Sequence, residues 1–372
     1  MTPADIQSQS TLLLWFSFAV SFVFGAVAQR THFCTMGALS DLFNMGDATR
    51  LRQWALAVAV AALGFGVLVH LGKLDASKTL YATPRWMWLS ALTGGLMFGF
   101  GMVLASGCGS KTLVRAGAGN LKAMVVFVVM GVSAFATLRG ITAVLRDASV
   151  DKVFVSVEPM ASLPMWLTSV SGMSPQNSAL LCALVFALAL LIWVARDRGF
   201  FNGHNLLAGL GIGGTVLAMW WGSGVLGHVP EHPDTLQQAF LTTGSGRIEA
   251  MTFTAPMAYS LDWLMFFSDK SKVLTWSVVS VVGVLIGSWL MALVGREFRW
   301  ESFRDTEDTA NHLIGAVLMG VGGVTALGCT VGQGLSGLST LSLTSFVAVA
   351  AIAAGARLAF AYQMWRLERQ SA

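Results

Sequence analysis

Three of the four cysteines in this chain stand where an apolar segment meets a loop, a place that can present a thiol to a ligand. Cys108 closes the run Gly99-x-Gly101, five residues, Gly107-Cys108, and 221 positions later Cys329 closes Gly320-x-Gly322, five residues, Gly328-Cys329. Cys34 follows Phe33 and precedes Cys108 by 74 positions, and Phe253-Thr254 precedes Cys329 by almost the same distance, 75 positions. Thr254 therefore occupies the place where a repeat would put a counterpart of Cys34. A thiol is a weak hydrogen-bond donor with a soft, polarisable acceptor atom, and as thiolate it is a nucleophile. The fourth cysteine, Cys182, lies in Leu181-Cys182-Ala183-Leu184 and reads as a small hydrophobe packed in a helix.

The residues around the three thiols suit an anion. Gly107, Gly109, Gly328, Gly332 and Gly334 let the backbone leave a helix and turn amide N–H groups toward a ligand. Other glycines, such as those of Gly95-x-x-x-Gly99, suit close helix packing. Arg30 precedes Cys34, Lys111 and Arg115 follow Cys108, and His32 adjoins the first group. Each cation alone also fits a topological or snorkelling role, whereas together with thiols and amides they suit attraction of negative charge. No P-loop, HExxH, nucleophile elbow or dinucleotide fingerprint is present, and no CxxC pair. His228 and His232 are four apart, but Pro230 and Pro233 argue against a shared helical face. No metal, no cofactor and no catalytic residue is expected.

Positioning these groups falls to membrane spans. The chain is 55% hydrophobic and 11% charged, against about 25% charged in soluble proteins. Apolar runs predict about nine transmembrane helices, at 11–29, 53–72, 86–105, 123–140, 178–195, 205–221, 272–294, 312–327 and 341–362. The segments 33–44 and 253–268 are too short and interrupted to cross and read as re-entrant pieces, while 141–177 and 222–252 read as loops. Met1–Ser10 is polar without a basic n-region, so the first run is expected to be a mature span. The class is thus an all-α polytopic membrane protein, a single integral membrane domain in the lipid bilayer. The net charge of +4 and pI of 9.0 reflect topology signals rather than nucleic-acid binding.

Span counting orders the halves. Repeat 1 (11–140) and repeat 2 (205–362) each hold four spans and one re-entrant piece, and the single linking span 178–195 separates them. An odd linking span makes two inverted-topology repeats; parallel halves would require one span fewer or more. The face after spans 1, 3, 5 and 7, with the C-terminus, carries thirteen Lys and Arg against nine on the other, which places the C-terminus in the cytoplasm and the N-terminus outside.

At Gln29-Arg30-Thr31-His32-Phe33-Cys34, at Gly94-Gly95-Leu96-Met97-Phe98-Gly99 through Gly107-Cys108, and at Gly328-Cys329-Thr330-Val331-Gly332-Gln333-Gly334, the chain resembles the YeeE/YedE family of bacterial inner-membrane proteins. The likeness extends over nearly the whole chain and includes Gly295-Arg296-Glu297-Phe298-Arg299. It implies import of sulfur-containing anions, thiosulfate above all, along a path lined by three essential cysteines matching Cys34, Cys108 and Cys329. It also implies a cytoplasmic sulfur carrier of the TusA type as partner. The chain departs from the family where Lys111, Val114 and Ala118 replace a frequent glycine, aromatic and glutamate, which makes the path more positive. The expected sequence of stations is Cys329, Cys108, Cys34. Two other functions stay open at this point: a transporter of another anion, such as a selenium oxyanion, and a membrane thiol enzyme passing sulfur covalently.

Overall fold

A bilayer offers no water to backbone groups, so each apolar run must satisfy its own N–H and C=O groups as a helix. The computed structural model describes residues 3–233 and 235–371. The first half comprises α1 (Pro3–Thr31), the short α2 (Thr35–Ser40), α3 (Thr49–His70), α4 (Trp88–Leu104), α5 (Gly109–Gly117) and α6 (Leu121–Arg139). Two short helices, α7 (Ile141–Ala148) and α8 (Leu163–Ser171), lead to α9 (Pro175–Ala195). The second half comprises α10 (Gly203–Trp221), α11 (Thr254–Met265), α12 (Trp276–Val294), α13 (Thr306–Thr325) and α14 (Leu343–Ser371). Eight of the helical stretches are long and apolar enough to cross a bilayer; α13, of 20 residues, is less apolar and packs among them.

Side chains start several helices. Asn120, Ser174, Asn202 and Asp305 each accept a backbone N–H from the residue three positions on, satisfying one of the donors that a helix start leaves free. Pro175 then opens α9, where its missing N–H costs nothing.

The segments expected to be re-entrant fold as short helices, α2 with the π-turn Asp41–Met45, and α11. The span expected at 312–327 begins earlier, at Thr306, because Asp305 caps it there. The segment 141–177, expected as a loop, holds α7 and α8, and its strand Val155–Ser156 pairs antiparallel with Arg85–Trp86. Helix α7 leaves Ile141, Val144 and Leu145 exposed, an apolar face that suits the membrane–water boundary and escapes a search for long runs.

Helix α4 crosses α13 antiparallel at four glycines. A Cβ on Gly94 would lie 2.6 Å from the Gly322 carbonyl, and one on Gly101 would lie 2.6 Å from the Gly315 carbonyl, so partner numbers fall as α4 advances. Around this crossing α14 packs on α4 and α6 on α13, while α12 packs on α1 and α3 on α10. Each helix of one half thus lies against helices of the other, and α9 flanks α3 at the periphery.

Candidate functional site

The three cysteines share one local design. Helices α1, α4 and α13 each end in a residue with left-handed φ that is not glycine: His32 (50°), Ser106 (55°) and Leu327 (59°). At each end the N–H of this residue returns to the carbonyl three positions back, and the next N–H returns to the carbonyl five back: His32 to Gln29 and Phe33 to Ala28, Ser106 to Val103 and Gly107 to Met102, Leu327 to Val324 and Gly328 to Gly323. This is the Schellman closure of a helix. The cysteine comes two residues after the left-handed turn and opens the next helical segment.

Amides then converge on the thiols. Gly37 N–H donates to Cys34 Sγ and Gly332 N–H donates to Cys329 Sγ, each at 3.4 Å. The Lys111 amide, likewise three residues on, lies beside the Cys108 thiol. Cys108 Sγ also lies 3.3 Å from Ser110 Oγ, and Cys34 is within side-chain hydrogen-bonding reach of Cys108. The Phe253 amide faces Cys329. Cys34, Cys108 and Cys329 are all buried, whereas Cys182 is half-buried on α9, away from them.

Two openings flank this cluster. One is a cleft of about 700 Å³ lined by His32, Lys111, Arg115, Asn120, Glu297, Arg299 and Glu301 among others. The other is a cavity of about 240 Å³ lined by Tyr81, Arg146, Glu249, Tyr259, Leu327 and Gly328 among others. They lie at opposite ends of α6 and α12: Asn120 and Glu297 border the cleft, whereas Leu138 and Ser277 border the cavity. Each of these helices has 19 residues, a length of about 28 Å. The cleft approaches Cys34 and Cys108 through His32 and Lys111, and the cavity approaches Cys329 through Gly328.

The cleft is biased toward anions. Arg115 is 3.8 Å from Glu301 and His32 is 3.8 Å from Glu297, while Lys111 has no carboxylate within salt-bridge distance among the described residues. The helix end at Gly109 adds the positive pole of α5. Arg30, expected beside this site, is exposed and lies outside the residues lining the cleft. Thr254 opens α11, buried, next to Gly323. Gly332 is held against Thr252, Gly334 against Trp54, and Gly107 beside Lys111; Gly109 sits between Met130 and Phe253, and Gly328 takes a φ of 156°. Among the described residues no group of three His, Cys, Asp or Glu converges on a point.

Sequence patterns pass over the smaller cavity. Glu249 is a buried carboxylate that accepts the Ser245 N–H at 2.8 Å and the Ser277 hydroxyl at 3.1 Å. Its signal is a lone acid in the otherwise apolar and hydroxylated run Ile248–Ala258. Glu301 and Arg299 of the cleft are drawn in by backbone bonds, Leu121 N–H to the Glu301 carbonyl and Arg299 N–H to the Ala118 carbonyl; nothing in their spacing announces that.

The thiosulfate transporter TsuA of Escherichia coli is 27% identical over 326 residues, covering 84% of this chain and 83% of its own length. TsuA of Spirochaeta thermophila is 27% identical over 333 residues, covering 87% of this chain and 91% of its own length. A probable transporter, YedE of Salmonella typhimurium, is 37% identical over 98 residues, 26% of this chain and 23% of its own. All three are described as transporters rather than enzymes. The family model described as "Sulphur transport" matches residues 30–358, so the chain belongs to that family, the YeeE/YedE type of membrane transporters.

Proposed function

We propose that the chain carries thiosulfate, or a closely related sulfur anion, inward across a bacterial inner membrane along a path lined by Cys329, Cys108 and Cys34. The observation that carries this is three buried thiols between a cavity and a cationic cleft at opposite ends of α6 and α12. The terminal sulfur of thiosulfate accepts a weak S–H hydrogen bond, while backbone amides and Lys111 offset the charge on its oxygens. Neutral thiols suit this role, because thiolates would repel a dianion. Each contact is modest, which lets the ion leave for the next station.

The antiparallel crossing of α4 and α13 supports two inverted repeats in one transport domain, since these helices carry the duplicated glycine–cysteine signature. Lys and Arg bias supports a cytoplasmic C-terminus and an external N-terminus. The cleft then opens to the cytoplasm, where a TusA-like carrier would receive the sulfur.

The test is uptake of labelled thiosulfate by cells lacking their own route, expressing Cys34→Ala, Cys108→Ala or Cys329→Ala. Each variant is expected to lose most uptake at wild-type membrane levels. Full uptake by Cys108→Ala or Cys329→Ala would sink the relay, and stronger competition by selenate than by thiosulfate would move the substrate to another oxyanion.

A further inference from the structure

Hydroxyls around the cysteines are mostly committed to the protein. Thr112 donates to the Cys108 carbonyl at 3.0 Å, Ser336 to the Met251 carbonyl at 2.6 Å and Thr340 to the Gly337 carbonyl at 2.8 Å. Thr330 and Thr254 differ, since the buried Oγ1 of each makes no hydrogen bond among the described residues; of the two, Thr330, 2% exposed, is the one beside Cys108. Its hydroxyl lies within side-chain reach of the Cys108 thiol but makes no hydrogen bond of full geometry to it, while its own backbone follows Cys329 directly. Burying an unpaired hydroxyl is unfavourable, and such groups in a native interior call for an explanation. Valine has the same shape and would remove the penalty.

We propose that Thr330 donates a hydrogen bond to an oxygen of the transported anion as it passes from Cys329 to Cys108. This deepens the proposed transport function and rests on it. The chemistry divides between the two kinds of group. A thiol is a weak, soft donor matched to a terminal sulfur, whereas a hydroxyl is a stronger donor matched to a hard, charged oxygen. A site with both selects an anion carrying a soft sulfur and a tetrahedral oxygenated end. Thr330 is thus a specificity residue, and the Cys329–Cys108 step is where the oxygenated end is read.

The experiment measures labelled thiosulfate uptake by proteoliposomes of the wild type, Thr330→Val and Thr330→Ser, with melting temperatures of the purified proteins. Thr330→Val is expected to raise KM about tenfold or more, the loss of one hydrogen bond to a charged group. Thr330→Ser should stay within about threefold of the wild type, because it keeps the donor. Melting of Thr330→Val should be unchanged or higher, since no protein partner is lost. A wild-type KM in Thr330→Val overturns the proposal. So does a raised KM that comes with lowered melting and is not rescued by serine, which marks a packing role. Absence of thiosulfate uptake by the wild-type protein overturns the transport function itself, a result separate from either.

Discussion

Tyr81 ties one half of the protein to the thiol of the other. Its hydroxyl donates to the Gly332 carbonyl at 2.5 Å, and the Gly332 N–H in turn holds Cys329 Sγ. Tyr81 is buried and also borders the smaller cavity. Phenylalanine at this position would remove the side-chain hydrogen bond to a buried carbonyl at the start of the π-turn Gly332–Gly337, a cost of about 1 kcal/mol. Tyr81→Phe is therefore expected to melt earlier and to import thiosulfate several times more slowly; wild-type melting together with wild-type uptake would refute the tie. The thiols themselves were legible, because two of them close the same glycine spacing. Tyr81 was not, since a lone tyrosine 251 positions from its partner carries no local pattern. The helix ends before each cysteine were hidden for a different reason. His32, Ser106 and Leu327 adopt the left-handed turn that glycine usually marks, so only the hydrogen bonds reveal that three cysteines share one design.

Among elements, the α4–α13 pair sets the site, because Cys108 and Cys329 follow its two C-terminal ends. A Cβ on Gly322 would stand 2.6 Å from both the Gly94 carbonyl and the Phe98 amide, all rigid backbone. The helices must separate to admit it, and overpacking of this kind costs about 1–3 kcal/mol. Gly214 on α10 offers the contrast, with nothing within 4 Å of an added Cβ. Gly322→Ala is expected to lower the melting temperature and abolish most uptake, while Gly214→Ala keeps uptake and melts at or above the wild type. Equal behaviour of the two variants would mean that the crossing does not govern the site. The long helices and the two short apolar segments that form α2 and α11 could be read from apolar length. The short α5, α7 and α8 could not, because their stability comes from neighbours and caps rather than from a long run.

At the scale of the whole molecule, the number of crossings decides where the termini lie, and α13 decides the number. Its first turns carry Glu307, Asp308, Asn311 and His312, which lowers its hydropathy below that of the other eight. Asp308 and His312 are paired within the protein. Lys122 on α6 meets Asp308 at 2.7 Å, and His312 Nδ1 lies 3.0 Å from Asp308. Packed between α4 and α6, α13 needs little apolar surface of its own, because a helix surrounded by protein is spared the demands of the bilayer. Its antiparallel run along α4, which is apolar enough to cross, supports reading α13 as a ninth crossing. Nine crossings put the two termini on opposite faces; eight would put them on one. A fluorescent protein that folds only in the cytoplasm, fused to the C-terminus, is expected to glow in intact cells. An N-terminal epitope on the same chain should be reached by an impermeant antibody once the outer membrane is opened. Both termini reporting the same face would remove the ninth crossing, and with it the proposed opposed halves that would put Cys329 on the outer side of Cys108.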